Sequence, residues 1–154
     1  MASRIEGKVR MRKVLKILPD SVRKQIKAAV HAGAEDMAST MRNLVPTHSR
    51  TLRESIKVTA GDADPAGYAK LKSRRREGDP ELAAVITAGS RKAFYARMVE
   101  FGTPAHINQG RFKGSQNPGT RAQPFFFPSY RARRKQVQAR INKAARQGIK
   151  EGLK

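Results

Sequence analysis

The sequence predicts a small α+β domain, because two long stretches carry helical periodicity and two short stretches between them, one alternating and one mostly apolar, fit strands. Apolar residues recur three or four positions apart in residues 20–44 and again in residues 129–151. Residues 56–60 and 82–88 have the composition of strands. A length of 154 residues fits one compact domain, so we expect residues 1–154 to fold as a single unit.

The first 44 residues predict a strand and two helices. Residues 5–9 alternate apolar and polar side chains, and residues 11–18 have the spacing of a short helix that ends near Pro19. Asp20 or Ser21 offers an N-cap to a long helix over residues 20–44, which Pro46 ends. Small residues at its middle, around Gly33, would let another element approach closely. Its apolar stripe is Val22, Ile26, Ala29, Val30, Gly33, Met37, Met41 and Leu44.

The middle of the chain predicts two paired strands joined by a polar arm. Residues 46–55 are expected to form a turn-rich link, after which residues 56–60 pair with residues 82–88. Residues 61–80 predict a long hairpin arm or a mobile loop. The arm carries a basic cluster, for which a solvated charged face is the simpler interpretation. The cluster comprises Lys70, Lys72, Arg74, Arg75 and Arg76.

The C-terminal third predicts a short helix, a loop and a long helix. Residues 94–101 have helical spacing with Gly102 as C-cap, and residues 103–123 read as a long surface loop. Prolines bracket Phe125, Phe126 and Phe127, and the final helix is expected from about Ser129. Its apolar side holds Tyr130, Val137, Ile141, Ala144, Ala145 and Ile149, and its opposite side Arg131, Arg134, Lys135, Arg140, Lys143, Arg146 and Lys150.

The charge of the chain is strongly positive, with 33 Lys and Arg against 12 Asp and Glu, a formal +21. Such a field attracts polyanions. Nucleic-acid binding and a surface met by acidic partner proteins both explain it. An aromatic content of 6% without Trp argues against a stacking platform for single strands.

Residue patterns give no support for catalysis, a metal or a cofactor. His31, His48 and His106 are widely separated and lack ligand spacing, and no phosphate-binding or nucleophile motif is present. Glu54 and Glu100 are the carboxylates to consider as a pair, but nothing in the sequence places them in one cleft. We therefore expect no enzyme and no cofactor. The absence of Cys excludes disulfides and thiolate metal sites. Without a membrane-length apolar run or a secretory signal at the N-terminus, the chain is expected to be soluble and made in the cytoplasm.

Three motifs in order carry a family resemblance. The first runs from Pro46 through Ser49-Arg50-Thr51-Leu52-Arg53-Glu54-Ser55-Ile56, the second is Tyr95-Ala96-Arg97-Met98-Val99-Glu100-Phe101-Gly102-Thr103, and the third is Ala122-Gln123-Pro124-Phe125-Phe126-Phe127-Pro128-Ser129-Tyr130. Together they resemble the tail-completion or head–tail joining proteins of long-tailed phages. The chain departs from the family pattern at Ser49 and Arg50, where Thr and Gly are usual, and this departure concerns the geometry of one turn.

The resemblance implies a sheet of three or four strands, antiparallel or mixed, packed by the long helix and the C-terminal helix. It also implies a ring, usually of six copies, that completes the head-proximal end of the tail in the virion. The partners would be copies of itself, the tail tube protein and the stopper or connector of the head, with transient contact to packaged DNA as a further option and no membrane contact. We expect the interface to draw on Tyr95, Arg97, Glu100, Phe101, Gly102, Gln123, Pro124 and Phe126.

Simpler roles compete with these assignments. An extended Phe block would turn Phe125 and Phe127 one way and Phe126 the other, and at least two of the three are expected in the core. Arg97 and Glu100 would form a local ion pair if they are not at an interface. The alternative function is nucleic-acid binding through the basic cluster of the arm and the final helix, with Arg133, Arg134 and Lys135 as further contacts.

Overall fold

Two long helices and two small antiparallel sheets form the computed structural model of the chain, which describes residues 19–46, 50–61 and 79–152. The strand and helix predicted before Pro19 lie outside these residues, as does nearly all of the predicted arm, including its basic cluster. In chain order the elements are α1 (Asp20–Leu44), α2 (Arg50–Glu54), β1 (Lys57–Ala60), β2 (Ala84–Thr87), α3 (Ala96–Phe101), β3 (His106–Ile107), β4 (Gln116–Asn117) and α4 (Phe126–Gly152), with single 3-10 turns at Pro80–Leu82 and Gly110–Phe112.

Helices α1 and α4 pack antiparallel along their length, because small residues let them approach. A Cβ added to Gly33 would collide with Val137, and one added to Gly148 would lie 2.8 Å from Cγ1 of Val22. The small residues at the middle of α1 therefore have the role that the sequence predicts for them. Polar contacts flank the seam, where Arg140 pairs with Asp36, Arg133 Nε donates to Thr40 Oγ1 and Gln25 donates to Glu151.

Helix α1 has the predicted bounds but a different start. Pro19 occupies the N-cap position, and its carbonyl oxygen accepts the N–H groups of Val22 and Arg23. No side chain caps the helix, so the N-cap predicted at Asp20 or Ser21 is wrong; Asp20 is instead an acidic residue of the first turn, where a negative charge stabilises the helix dipole.

Strands β1 and β2 pair antiparallel, with Val58 opposite Ile86 and Thr59 opposite Val85, and both strands pack against α1. The predicted pairing and the α+β class are confirmed. The four described strands are divided between two two-stranded sheets, β1–β2 and β3–β4, whereas the family resemblance implies one sheet of three or four strands.

The link between α1 and β1 contains a helical turn, where the sequence suggests only turns. Leu52 of α2 is fully buried, and the buried Ser55 hydroxyl donates to the Leu52 carbonyl and accepts the N–H of Gly89. Arg42 of α1 donates through two nitrogens to the Ile56 carbonyl. The leucine, serine and isoleucine of the first motif are therefore core and scaffold residues.

The core lies where α1, α2, α3 and α4 meet, on one side of the β1–β2 pair. A separate ion-pair cluster holds the 3-10 turn to α1. There Arg23 pairs with Asp79 and Glu81, and its hydrogen bond to Glu81, with the charge of Asp79 beside it, raises the pKa of Arg23. The main core cluster is Met37, Ala38, Met41, Val45, Leu52, Ile56, Ala93, Ala96, Phe125 and Val137.

Candidate functional site

A hairpin whose two ends are hydrogen-bonded to each other joins the end of α3 to the start of α4. Gly102 has φ 71° and ψ −179°, a conformation open essentially to glycine alone, and an added Cβ would lie 2.6 Å from the Thr120 carbonyl oxygen. Beyond it, Thr103 and Thr120 exchange both backbone hydrogen bonds, and β3 pairs with β4. The segment predicted as a long surface loop is therefore a hairpin with a closed base.

Glu100 ties α3 to the beginning of α4. Its side chain is 6% exposed, and the carboxylate accepts the backbone N–H groups of Phe125 and Phe126 at 2.8 Å and of Phe127 at 3.0 Å. The first N–H groups of a helix have no partner within the helix, and the positive end of the helix dipole lies there. One buried carboxylate thus caps α4 from another element, and we call this contact the Glu100 clamp.

The Phe block turns into helix, so its side chains do not alternate as predicted. Helix α4 begins at Phe126, three residues before the predicted start, and Pro128 lies in its first turn, where the missing N–H costs nothing. Phe125 is fully buried, Phe126 packs half-buried against the core and Phe127 is 43% exposed. The predicted role in the core is confirmed for Phe125 and Phe126, and the shared direction of Phe125 and Phe127 is wrong.

An exposed apolar surface lies immediately outside the clamp. Met98 is 48% exposed and Phe101 62%, and the ring centroids of Phe101 and Phe127 lie 5.9 Å apart. An open cleft lined by Arg97, Met98, Phe101 and Gly102 runs beside them. We call Met98, Phe101 and Phe127 the aromatic face. Because its two phenylalanines adjoin the two ends of the clamp, the clamp fixes their relative position.

The predicted interface residues fall into three groups. Arg97 is exposed beside the aromatic face, and Phe101 is exposed within it. Gln123 and Pro124 are exposed on the segment that connects the hairpin to α4, where the Gln123 N–H donates to the Val99 carbonyl at 2.8 Å. Residues that support the surface from behind are Tyr95, Glu100, Gly102 and Phe126.

The predicted ion pair between Arg97 and Glu100 is absent, although both residues are described, because the clamp occupies the Glu100 carboxylate. Among the predicted polyanion contacts, Arg134 and Lys135 are exposed on α4. Arg133 turns toward α1, where it binds Thr40, and toward Gln136. The other predicted contacts are those of the arm, outside the described residues.

Four exposed apolar residues around the clamp and on the hairpin are not among the predicted interface residues. Met98 and Phe127 complete the aromatic face, and Ile107 and Phe112 are 61% and 68% exposed on the hairpin. One feature of the sequence bears on Phe127: proline is common in the first turn of a helix, so Pro128 is compatible with a helix that has already begun. No sequence pattern distinguishes Phe112 from a buried phenylalanine.

Residues 10–102, more than half of the chain, match the HK97-gp10-like family, described as "Bacteriophage HK97-gp10, putative tail-component". The chain belongs to this family. The resemblance to phage tail proteins that the three motifs suggest is therefore confirmed at the level of a tail component, a structural part of the virion.

The match to the HK97-gp10-like family covers α1, both strands of the first sheet and α3, and it ends at Gly102. The hairpin and α4 lie beyond it. Neither a curated protein nor a solved structure matches the chain significantly. Within the described residues, no helix is long and apolar enough to cross a membrane, and no three His, Asp or Glu side chains are grouped to hold a metal ion.

Proposed function

We propose that this HK97-gp10-like protein is a tail-completion subunit, which forms a ring with copies of itself at the head-proximal end of a phage tail and joins that end to the head. The observation that carries the proposal is the aromatic face, three neighbouring apolar side chains left exposed beside a buried, fully hydrogen-bonded joint. Contiguous exposed apolar surface on a small protein marks a place where another molecule binds.

The backbone beneath this surface is well fixed. Glu100 holds the first turn of α4, the Gln123 N–H binds the end of α3 and Gly102 lets the two segments approach. A binding surface that is ordered before it meets its partner loses less entropy on binding. This arrangement suits a subunit whose contacts must repeat in the same geometry around a joint.

A ring of identical subunits needs two different surfaces on each copy, because the contacts are head-to-tail. The hairpin is a candidate for one of these surfaces, since Ile107 and Phe112 are exposed on it. Ring closure, the usual six copies and the neighbours at the joint, the tail tube protein and the stopper or connector, are part of the proposal. The partners of the two surfaces are therefore virion proteins.

The proposal assigns no catalytic step to the chain. Glu100 is one of the two carboxylates that the sequence suggests as a pair, and its oxygens are occupied by three amide N–H groups. Glu54 is exposed at the last residue of α2. Because these hydrogen bonds engage both oxygens in holding the start of α4, we assign Glu100 a structural role.

A second candidate function is supported by the surface of α4. From Phe126 to Lys150 this helix has no carboxylate, and its cations Arg131, Lys135, Arg146 and Lys150 are exposed. A row of unpaired cations along a helix binds phosphate backbones without base specificity. Under this alternative the chain is a basic DNA-binding protein that makes no joint.

Deleting the gene from a phage that encodes the protein tests the choice directly. We expect separate heads and tails in electron micrographs of the deletion mutant, and joined particles when the wild-type gene is supplied. Ile149→Asp is the control, because this residue is 45% exposed near the end of α4, and this variant should also restore joining. Phe101→Asp should not restore joining. Joined, infectious particles without the gene would overturn the proposal, and loss of packaged DNA with intact joints would favour the second candidate.

Purified protein gives an independent measurement. Light scattering after size exclusion, with negative-stain microscopy of the same fractions, should show rings of the wild type, alone or on isolated tails. Phe126→Asp is a poor probe of the contact between copies, because Phe126 packs against the core. Phe112→Asp, at a residue exposed on the hairpin, is the better one, provided that circular dichroism shows the helices intact.

A further inference from the structure

The distribution of carboxylates identifies what the aromatic face binds. Between Glu81 and Glu151 the chain has fourteen Lys and Arg residues and one acidic residue, Glu100. All fourteen cations are exposed, and Glu100 is buried in the clamp. The surface formed by residues 82–150 therefore presents positive charge without any exposed carboxylate of its own. The aromatic face lies within this surface.

Cations adjoin the apolar side chains directly. Arg97 lines the same cleft as Met98 and Phe101, and Arg131 follows Phe127 by four residues on α4, which is one helical turn. Neither Arg97 nor Arg131 forms an ion pair with another described residue. A molecule that covers this face must supply apolar side chains at its centre and negative charge around them.

The hairpin of a second copy does not meet this requirement. It offers Phe112, but Arg111 and Lys113 flank that residue and would approach Arg97 and Arg131. Every copy also brings its own formal charge of +21. Like charges brought together at an interface cost free energy, and this cost selects against the contact.

Duplex DNA supplies charge without the apolar part. Phosphates would neutralise the arginines, but the grooves and backbone of a duplex offer little to bury Met98, Phe101 and Phe127. We propose that the aromatic face binds an acidic amphipathic segment, most simply a helix, of a different protein. Such helices place apolar residues at i, i+3, i+4 and i+7 in an apolar site and turn their carboxylates toward the rim.

This inference deepens the proposed function, on which the identity of the partner as a virion neighbour rests. It assigns the aromatic face to a neighbouring protein and leaves the contact between copies to other surfaces, the hairpin among them.

A designed peptide tests the chemistry without the particle. The probe is a fluorescent helical peptide of about 18 residues. It has Leu at positions i, i+3, i+4 and i+7 along one face and Glu on the remaining face. We expect fluorescence anisotropy to show binding to the full chain. Phe101→Ser and Phe127→Ser should each weaken binding about tenfold or more, whereas Phe112→Ser, which removes an equally exposed phenylalanine from the hairpin, should leave it unchanged.

Two altered peptides separate the two requirements. Replacing Leu with Ser keeps the charge and should lose most of the binding, and replacing Glu with Gln keeps the apolar side and should weaken binding in low salt. Equal binding of the Leu-free peptide, or of the Phe101→Ser protein, would overturn the inference. So would a duplex DNA whose affinity falls with Phe101→Ser, since DNA would then be the occupant. If the peptide binds as expected but particles remain joined after the gene is deleted, the proposed function would be overturned and the inference about the aromatic face would stand.

Discussion

Oε1 of Glu100 accepts the backbone N–H of Phe127 at 3.0 Å, across 27 residues of sequence. The hairpin lies between these residues, so this contact joins the chain before the hairpin to the chain after it. It also explains why the second and third motifs belong together. One motif supplies a buried carboxylate, and the other supplies the uncapped helix start that the carboxylate binds.

Removing the carboxylate should destabilise the fold. We expect Glu100→Ala to lower the free energy of unfolding by about 3 kcal/mol, because it leaves three N–H groups at a largely buried helix start without a partner. Glu100→Gln keeps one acceptor oxygen and should cost about 1–2 kcal/mol. Urea unfolding followed by circular dichroism gives both values. Glu54→Ala, at an exposed position, is the control; an equal loss there would show that net charge and not the clamp matters.

Gly102 should be intolerant of any side chain. Gly102→Ala combines a glycine-only backbone conformation with a Cβ 2.6 Å from a carbonyl oxygen, and we expect a loss of about 3 kcal/mol or more. Gly110 is a matched comparison, because its φ is 70° but an added Cβ meets nothing within 4 Å. Gly110→Ala should cost only about 1–2 kcal/mol. Similar losses in thermal unfolding would mean that the close approach is unimportant.

The α1–α4 seam should show coupling between Gly33 and Val137. In the wild-type background Gly33→Ala forces the helices apart, and this overpacking should cost about 1–3 kcal/mol. The higher helix propensity of Ala offsets up to about 1 kcal/mol of that cost. With Val137→Ala present the collision disappears and the propensity gain remains. A double-mutant cycle in urea should therefore give a coupling of at least about 1 kcal/mol. Additive effects would place the seam elsewhere.

Self-association should increase with salt. The formal charge of +21 keeps copies apart, and raising the ionic strength from about 0.1 M to about 1 M shortens the Debye length from about 10 Å to about 3 Å. Apolar contacts between copies then act against weaker repulsion. We expect the mass measured by light scattering to rise across this range. A mass that falls instead would show that oppositely charged patches hold the copies together.

Periodicity was sufficient to predict the long elements of this fold. The stripe from Val22 to Leu44 predicts α1 with its observed bounds, and the pairing of β1 with β2 follows from two short apolar runs. In both cases side chains near in sequence carry the information. The start of α4 was harder to place, because Pro128 is compatible with the end of an extended segment as well as with the first turn of a helix.

The candidate site depends on contacts that sequence spacing does not encode. Glu100 is a lone acid in a basic stretch, which suggests an ion pair with Arg97, and only the packing of α3 against α4 shows that amide groups are its partners. Likewise, the exposure of Phe101 and the burial of Phe125 result from which helix faces meet in three dimensions. Composition treats the two phenylalanines alike.

The closed base of the hairpin gives experimenters a place to work. Thr103 and Thr120 hold the two ends together, and Gly114 near the tip has open space around it. A peptide epitope or a small fluorescent label inserted beside Gly114 would project from the subunit surface and leave the packing of both helices unchanged. Its position in micrographs of finished particles would show where each copy resides.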